Sequence, residues 1–354
     1  FDYIIIGFGI AGVSMVRELT LRNQRCLVID AENQTATRVA GGTLHAAVLG
    51  QYRKVWEGEI FWHYAENWYN ELERDLNITL NQRKGLIKRF NSDQDRKTWT
   101  AMRNSDDQFW SEYLNPVSDQ INGVSNLNLP YGYGTSNQFC RFDPVKLLNK
   151  YANHLKVRNQ YLLASIQASS AVQLYNSIRS LDVSAKTIIL AQGHQQEIWP
   201  NCTLGNPIQP KQGEYVIIDC PSLDLRRVLK SKFFIIPLGG DRYQIGATYM
   251  QKIHETTVEE AKMKLFRDID AVIKLPYKVI EYCKGIRPGT KDRKPILGAI
   301  DDQRSIFMIN GLNSRGLLMA PMLSSWLADH ILDETPIPKE VSINRFFLPF
   351  SDRS

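Results

Sequence analysis

The first thirty residues constrain the fold more than any other stretch of the chain. The apolar run at residues 3–6, YIII, is typical of a parallel strand that is covered on both faces. The glycine pattern G-x-G-x-x-G at residues 7–12 follows at once, and a helix is predicted over residues 13–22. A second strand at residues 26–29 ends at Asp30. This order of strand, glycines, helix, strand and acid predicts a Rossmann-type unit that binds a dinucleotide.

Each residue of this motif has a physical role in such a unit. Gly7 permits the tight turn out of the strand, Gly9 lets a pyrophosphate approach the backbone, and Gly12 lets helix and strand pack closely. The pyrophosphate is then expected on the free N–H groups at the positive end of the helix. Asp30 stands where a carboxylate accepts hydrogen bonds from a ribose diol. The competing interpretation is a glycine-rich turn in another kind of α/β unit.

Length and composition are those of an ordinary globular chain. The 354 residues are enough for two domains with a sizeable core. The net charge is +6, and the Lys and Arg residues are scattered rather than concentrated in one block. Two interpretations of this charge stay open, a solvated surface or the attraction of an anionic substrate or nucleic acid.

Cysteine usage and hydropathy indicate the compartment. The five cysteines are widely spaced and include no C-x-x-C pair, which favours reduced thiols and hence a cytoplasmic location. The six histidines show no metal-ligand spacing, so no metal site is expected. No apolar run is long enough for a membrane span, and the first strand begins so early that no signal peptide is expected in this chain.

Further along the chain, the pattern predicts a second, mostly antiparallel sheet. A glycine pair, Gly41 and Gly42, follows the second strand and suggests another place where backbone approaches a ligand or, equally, a plain turn. Asp143 and Pro144 form a typical helix start. Strands are predicted at residues 85–90, 161–164, 186–190, 211–219, 233–237, 242–248 and 306–309, and helices at residues 57–75, 94–114, 144–155, 257–271 and 317–332.

Five motifs in this order resemble one known family. They are GFGIAG with Asp30, TRVAGGTL at residues 37–44, IILAQG at 188–193, GIRPGTKDRKPILG at 285–298 and INGLNSRGLLMAP at 309–321. The chain resembles the flavin-dependent D-amino-acid oxidase superfamily, and within it the glycine oxidases most. The resemblance spans nearly the whole chain, and residues 285–298 carry its most specific part.

The resemblance implies an α/β protein with a Rossmann-type FAD-binding domain around a parallel sheet and a smaller α+β substrate domain with a mostly antiparallel sheet. The FAD-binding domain would be discontinuous, at residues 1–80, 141–205 and 285–354, and the substrate domain would comprise residues 81–140 and 206–284. The last helix would point its N-terminus at the flavin ring. Residues implied in FAD binding are Gly7, Gly9, Ile10, Ala11, Gly12, Asp30, Ala31, Arg38, Gly41, Gly42, Thr43, Leu44, Ile166, Gly193, Gly311, Ser314, Arg315, Gly316 and Leu317.

The resemblance also implies a substrate site. Arg287 matches the arginine that binds the substrate carboxylate in this family, and Arg315 matches a second arginine nearby. Tyr249 and His45 occupy pocket positions where relatives carry other residues, and Phe233 and Phe234 lie near an expected tyrosine, so the substrate itself stays open. Cys283 lies two residues before the region where sarcosine oxidases tether their flavin, which predicts non-covalent FAD.

The predicted function is an FAD-dependent oxidoreductase that oxidises the C–N bond of a small amine or amino acid to an imine, by hydride transfer to flavin N5, with oxygen or another acceptor taking the electrons. Glycine, sarcosine and D-amino acids are the substrate types considered. One alternative is a flavin domain that trims a carboxymethylaminomethyl group on a tRNA wobble uridine, although such domains are usually fused to a methyltransferase and a nucleic-acid partner is not expected. Another is a flavoprotein subunit without catalysis, against which Arg287 argues.

Overall fold

The strand before the glycine motif lies inside a six-stranded sheet in the computed structural model, which describes residues 1–82, 85–117, 126–196, 206–249 and 258–346. The helices are α1 (Ile10–Leu21), α2 (Gly58–Leu76), α3 (Asp93–Arg103), α4 (Gln108–Tyr113), α5 (Pro144–Lys156), α6 (Ala171–Arg179), α7 (Val258–Asp270) and α8 (Gly316–Asp333). The strands are β1 (Tyr3–Ile6), β2 (Cys26–Asp30), β3 (Thr43–Leu44), β4 (Ala47–Val48), β5 (Arg53–Lys54), β6 (Asn81–Gln82), β7 (Leu86–Arg89), β8 (Tyr133–Ser136), β9 (Cys140–Phe142), β10 (Tyr161–Leu163), β11 (Thr187–Leu190), β12 (Ile208–Asp219), β13 (Val228–Lys230), β14 (Phe234–Gly239), β15 (Arg242–Tyr249), β16 (Lys278–Thr290), β17 (Ile296–Ala299) and β18 (Ile306–Asn310).

The six-stranded sheet has the order β10-β2-β1-β11-β18-β17. Its pairs are parallel except for β17, which runs antiparallel to β18. The strands β1, β2, β11 and β18 are unbroken apolar runs because helices or loops cover both faces of the sheet. The predicted Rossmann-type sheet is confirmed.

A second sheet of seven strands has the order β16-β12-β15-β14-β13-β7-β8. Its pairs are antiparallel except for β13 with β7. The mixed fold class of one parallel and one mostly antiparallel sheet is therefore confirmed. The proposed domain boundary between residues 284 and 285 falls within β16, which continues to Thr290, and the division into two domains stays a prediction.

A buried charge network joins three helices beneath the glycine motif. Glu18 of α1 is almost fully buried, and its carboxylate accepts a hydrogen bond from Trp68 Nε1 of α2 at 2.9 Å and pairs with Arg22 at 2.6 Å. Arg22 also reaches Asp329 of α8 at 2.6 Å. Because these charges have partners, α1 can stay packed against α8, which also packs against α2. This packing fixes the direction of α1 and so the position of its N-terminus.

Most of the predicted elements are present, with local differences. Asp143 caps α5 by accepting from the backbone N–H of Lys146 at 3.0 Å, as predicted. The single helix expected over residues 94–114 is wrong: Asp107 starts a separate helix, α4, by accepting from Phe109 N. The elements α6, β13, β16 and β17 were not predicted, and neither were the short strands β3, β4, β5, β6 and β9. Among the described residues, every helix is too short or too polar to cross a membrane.

Candidate active site

A cavity of about 1890 Å³ lies between the two sheets. The carboxyl ends of β1, β2, β11 and β18 open into it, as expected for the ligand crevice of an open parallel sheet. The opposite wall comes from β12, β14, β15 and β16 of the second sheet. A long ligand in this cavity would contact both sheets at once.

The glycine loop forms one end of the cavity. Gly7 has a φ of +98°, and a Cβ there would lie 2.6 Å from the carbonyl oxygen of Ala191. A Cβ at Gly12 would lie 2.0 Å from the carbonyl oxygen of Gly7, so this glycine serves the close contact of helix and strand. Gly9 caps α1 without a side-chain hydrogen bond, and the first-turn N–H groups have no partner within the helix. Of these, the N–H of Ile10 donates to Thr37 Oγ1 at 3.0 Å.

Asp30 is held in place at the end of β2. Its Oδ1 accepts from the N–H of Phe8 at 2.9 Å, and its Oδ2 accepts from the N–H of Glu32 at 2.9 Å and from the hydroxyl of Tyr161 at 3.2 Å. Burial and the nearby carboxylates of Asp30 and Glu32 raise the pKa of Tyr161. These contacts hold the Asp30 carboxylate at the edge of the cavity, where a ribose diol would meet it.

The second glycine pair lies where the two sheets approach each other. Gly42 has a φ of +77°, and a Cβ there would lie 1.8 Å from the carbonyl oxygen of Phe142. A Cβ at Gly41 would lie 2.1 Å from Ile236 Cδ1 of the second sheet. Gly42 is therefore required by its backbone conformation and packing, whereas at Gly41 the end of the Ile236 side chain could move aside. Both glycines line the cavity.

His45 follows this pair and presents its ring to the cavity. Its Nδ1 lies 2.6 Å from the carbonyl oxygen of Ala47, so Nδ1 carries the proton that is donated to that oxygen. The ring stacks on Phe139 and contacts Phe234. Burial, with a contribution from the positive charge of Arg315, lowers the pKa of His45 to about 3. His45 is therefore neutral at physiological pH.

Arg287 lies on β16, where it pairs in register with Lys211 of β12. Its Nη2 donates to the hydroxyl of Tyr215 at 2.6 Å, and its guanidinium carbon lies 6.0 Å from the centre of the Tyr215 ring. Both side chains line the cavity. A Cβ at Gly246 would lie 2.7 Å from Tyr215 Cδ1, so this glycine makes room for the tyrosine that orients the arginine.

Arg315 is the cap residue of α8, and its Nη1 donates to the carbonyl oxygen of His45 at 3.3 Å. Gly316 and Leu317, the first residues of the helix, line the same cavity. The positive end of the α8 dipole therefore faces the cavity beside Arg315. Two arginines and a helix N-terminus make this part of the site favourable for negative charge.

The structure brings most of the predicted site residues to one cavity. The lining includes Gly7, Gly9, Ile10, Ala11, Asp30, Ala31, Gly41, Gly42, Thr43, His45, Ile166, Gly193, Arg287, Ser314, Arg315, Gly316 and Leu317. Four predicted residues do not line the cavity. Gly12 packs on Gly7, Leu44 is buried in the core, Gly311 faces Thr290, and Arg38 donates to Asn149 Oδ1 at 3.1 Å. Tyr249 ends β15 opposite Gly213, and its side chain lies outside the described part of the structure.

Two residues of the site were not predicted, Tyr215 and Lys230. Tyr215 lies within the predicted strand at residues 211–219, and alternation along that strand puts it on the same face as Lys211. Lys230 lies on β13, which the sequence pattern did not reveal. The pairing of β12 with β16, which brings this face to Arg287, is a feature of the fold that the sequence pattern does not show.

The cavity fits the FAD that the resemblance implies. At one end, a glycine loop leaves the start of α1 accessible, and a fixed carboxylate, Asp30, stands at the next strand end. Gln192 Nε2 donates to the carbonyl oxygen of Ile166 at 3.2 Å and so fixes the backbone proposed beside the adenine. At the other end, α8 supplies its N-terminus. These groups match a pyrophosphate, a ribose, an adenine and a ring that gains negative charge.

Known proteins resemble this chain in both sequence and fold. The sequence profile of the DAO family, described as FAD dependent oxidoreductase, matches residues 2–330. Glycine oxidase of Bacillus subtilis (strain 168) is 22% identical over 358 residues, which cover 94% of this chain and 94% of that protein. The crystal structure of glycine oxidase from Geobacillus kaustophilus superimposes with a TM-score of 0.76 at 19% identity, covering 99% of this chain and 98% of that one. At this identity, the structural likeness establishes the fold.

A second kind of relative is longer. The tRNA 5-methylaminomethyl-2-thiouridine biosynthesis bifunctional protein of Hahella chejuensis is 20% identical over 382 residues, which cover 98% of this chain. The chain spans 59% of the length of that relative, and less than two thirds of the other bifunctional proteins that it matches.

Proposed function

The chain belongs to the DAO family of FAD-dependent oxidoreductases, and we propose that its substrate is a small amine or amino acid that carries a carboxylate. The observation that carries this proposal is the pair of Arg287 and Tyr215, which face the cavity from neighbouring strands. A planar guanidinium binds a carboxylate through two parallel hydrogen bonds, which fixes both the position and the orientation of the substrate.

Tyr215 sets the orientation of Arg287. The hydroxyl of Tyr215 accepts one guanidinium N–H, so rotation of the planar group is restricted before the substrate arrives. Pro288 follows Arg287 directly and restricts its backbone as well. A rigid arginine suits a step in which the substrate carbon must be aligned with the cofactor.

The cations around the cavity also act on the substrate nitrogen. Arg287, Arg315 and the N-terminus of α8 all lie on its surface. Positive surroundings disfavour an ammonium ion and so lower the pKa of a bound amine. The substrate then binds as the neutral amine, whose lone pair is needed when the C–N single bond becomes a C=N bond. Neutral His45 adds no further charge.

The chemistry that FAD would supply here is the uptake of the two electrons of this oxidation. We propose that FAD is held without a covalent bond. Of the described residues, the free cysteines are Cys26, Cys140, Cys220 and Cys283, and none of them lines the cavity. Burial, together with Glu281, raises the pKa of the Cys283 thiol to about 11, which keeps it protonated. Acid precipitation is therefore expected to release all of the flavin.

The test is rapid anaerobic reduction of the FAD-loaded protein by a panel of glycine, sarcosine and D-amino acids. In Arg287→Lys, a point charge replaces the planar fork, and we expect the limiting reduction rate or its specificity constant to fall about 100- to 1,000-fold with the best substrate. Arg293→Lys is the matched control, because Arg293 also lines the cavity but is exposed to solvent.

The FAD content of Arg287→Lys should equal that of the wild type. Equal reduction kinetics in both proteins would show that Arg287 does not hold the carboxylate. If a substrate without a carboxylate reduces both proteins equally well, the substrate class is a simple amine and not an amino acid.

A second candidate is action on a modified uridine of tRNA, the process named for the longer relatives. One observation favours it: five exposed cations line the cavity, Arg53, Lys54, Lys211, Lys232 and Arg293. Such cations could contact phosphates, and binding would then weaken steeply with salt. A filter-binding titration with tRNA at two salt concentrations tests this candidate. If the protein binds tRNA no more tightly than it binds another polyanion of the same size, the result counts against it.

A further inference from the structure

One register row crosses the floor of the cavity on the second sheet. Tyr215 of β12 pairs with Gly246 of β15, Gly246 pairs with Phe234 of β14, and Phe234 pairs with Lys230 of β13. Lys88 of β7 continues the row beyond Lys230. Register partners carry their side chains on the same face of a sheet, and the first four residues all line the cavity.

A positively charged side chain lies at each end of this row. At one end, the Tyr215 ring lies against Gly246 and holds the Arg287 guanidinium through its hydroxyl. At the other end, the Lys230 ammonium lies 5.0 Å from the centre of the Phe234 ring. Both side chains therefore lean toward the middle of the row, where Phe234 forms an apolar floor.

Lys230 and Lys88 are neighbours with different surroundings. The Lys88 ammonium has its own counter-ion, since it lies 2.6 Å from Asp95 Oδ2. Among the residues that the structure describes, no carboxylate lies within ion-pair distance of Lys230. Its ammonium donates to the carbonyl oxygens of Ser231 and of Lys232, the latter at 3.2 Å. An ammonium has three N–H donors, so one remains for a ligand.

The charge of Lys230 persists at neutral pH although it is largely desolvated. Burial and repulsion by Lys88 lower the pKa of Lys230 to about 8, while Asp95 opposes this shift. Positive charge on Lys230 also contributes to the low pKa of His45. A half-buried cation without a carboxylate partner is unfavourable unless something negative binds beside it.

The distance between the two ends of the row limits the length of a ligand that contacts both of them. Tyr215 and Lys230 stand three strands apart, so their backbones are about 14 Å apart at the usual strand spacing of about 4.8 Å. The Arg287 guanidinium lies at the Tyr215 hydroxyl and the Lys230 ammonium lies beside the Phe234 ring, so a ligand that contacts both cations can be shorter than this backbone distance. Glycine has only one carboxylate and would leave the Lys230 end empty.

We propose that Lys230 forms a subsite for a second anionic group, so that the substrate is an amino acid or secondary amine with two carboxylates. This proposal rests on the proposed function and narrows its substrate class. In this arrangement, Arg287 holds the carboxylate next to the C–N bond that is oxidised, and Lys230 holds the distal carboxylate across Phe234. The reaction is unchanged: the substrate C–H bond would break with transfer of a hydride, that is, two electrons and one proton, to bound FAD, and the nitrogen would release the second proton to solvent as the C=N bond forms.

The experiment compares matched substrates in the FAD-loaded protein. The pairs are iminodiacetate with sarcosine, and D-aspartate or D-glutamate with the corresponding amides. In the wild type, we expect the dicarboxylate of at least one pair to have a kcat/KM at least about 10-fold above that of its partner, from one charge-assisted hydrogen bond. In Lys230→Met, this preference should disappear, while kcat/KM for the monocarboxylate stays within about twofold of the wild type.

Lys232→Met is the matched control, because Lys232 also lines the cavity and carries the same charge but is exposed and lies 3.3 Å from Asp268. It should keep the preference. A second readout needs no turnover: binding of succinate and glutarate, followed by the flavin spectrum and by calorimetry, should weaken about 10- to 100-fold in Lys230→Met and stay unchanged in Lys232→Met.

The two proposals fail in different ways. If monocarboxylates reduce the flavin and Lys230→Met changes both members of a pair equally, the subsite is wrong and the proposed function stands. If no amine or amino acid reduces the flavin while dicarboxylates bind through Lys230, the proposed function is wrong and the anion subsite stands. Equal binding of succinate by Lys230→Met and wild type overturns the subsite outright.

Discussion

Single residues at this site are oriented by direct contacts with other residues of the chain. Tyr215 fixes the guanidinium of Arg287, and Gly246 leaves the space in which the Tyr215 ring lies. Asp30 binds three groups of the chain itself, the N–H of Phe8, the N–H of Glu32 and the hydroxyl of Tyr161. The carboxylate is thus oriented before any cofactor arrives, which reduces the loss of side-chain entropy on binding.

The first prediction at this scale concerns Asp30. In Asp30→Asn, one oxygen can still accept from Phe8, but the amide no longer offers a charged acceptor to a ribose diol. We expect the Kd for FAD to rise about 10- to 100-fold, the effect of losing a charged hydrogen bond. Fluorescence titration of the apoprotein with FAD measures it. Glu32→Gln is the control, since Glu32 pairs with Lys156 on the surface at 2.7 Å. An unchanged Kd in Asp30→Asn would show that Asp30 does not contact the cofactor.

At the scale of elements, α8 contains a proline that the fold compensates. Pro321 lies in the second turn of α8 and has no N–H to donate to the carbonyl oxygen of Leu317. The hydroxyl of Tyr69 on α2 donates to that oxygen instead, at 3.1 Å. Tyr69 is fully buried and stacks on Phe142 with ring centres 4.1 Å apart. A contact from a second helix therefore stabilises the first turns of α8, which face the cavity.

A tyrosine-to-phenylalanine pair tests this compensation. Tyr69→Phe keeps the ring packing but leaves the Leu317 carbonyl without its donor, so we expect the free energy of unfolding to fall by about 1–3 kcal/mol. Tyr277→Phe is the control: its hydroxyl donates to Asp270 at 2.7 Å on the surface, and the expected change is below about 1 kcal/mol. Urea unfolding of the FAD-loaded proteins gives both values. Equal changes in the two variants would contradict a special role of Tyr69.

The sequence predicted elements well where the pattern was local. The glycine motif between β1 and α1 and the Asp143 cap of α5 were recognisable because each depends on neighbouring residues. The helix expected over residues 94–114 was wrong because Asp107 can cap a new helix, a local signal that the helical pattern obscured. The contact of Arg287 with Tyr215 and the row that ends at Lys230 depend on strand pairing between distant segments. Sequence periodicity does not specify which strands become neighbours.

At the scale of the whole molecule, the two sheets share one cavity, and its lining is unequal in charge. Its cationic side chains are Arg53, Lys54, Lys211, Lys230, Lys232, Arg287, Arg293, Lys294 and Arg315, whereas its carboxylates are Asp30 and Asp292. The carboxylate of Asp30 lies at the proposed ribose end, whereas Lys230, Arg287 and Arg315 lie around the proposed substrate end. Lys and Arg residues that are far apart in the sequence thus come together around one cavity in the folded chain, where they produce a positive electrostatic potential.

The last prediction concerns the dependence of stability on pH. His45 has a pKa of about 3 in the folded chain, against 6.5 when it is free, because burial and Arg315 disfavour its charged form. Below about pH 6.5, the unfolded chain therefore binds a proton at His45 that the folded chain does not, and this term destabilises the fold as the pH falls, by about 1.4 kcal/mol per pH unit. In His45→Gln this term is absent, so between pH 6.5 and pH 5 the wild type should lose about 2 kcal/mol more stability than the variant.

Urea unfolding at constant excess FAD, from pH 8 to pH 5, measures the pH dependence of stability in both proteins. At pH 8 the histidine is neutral in both states, so the difference there gives the packing effect of the substitution alone. Parallel slopes below pH 6.5 would show that His45 takes up a proton in the folded protein.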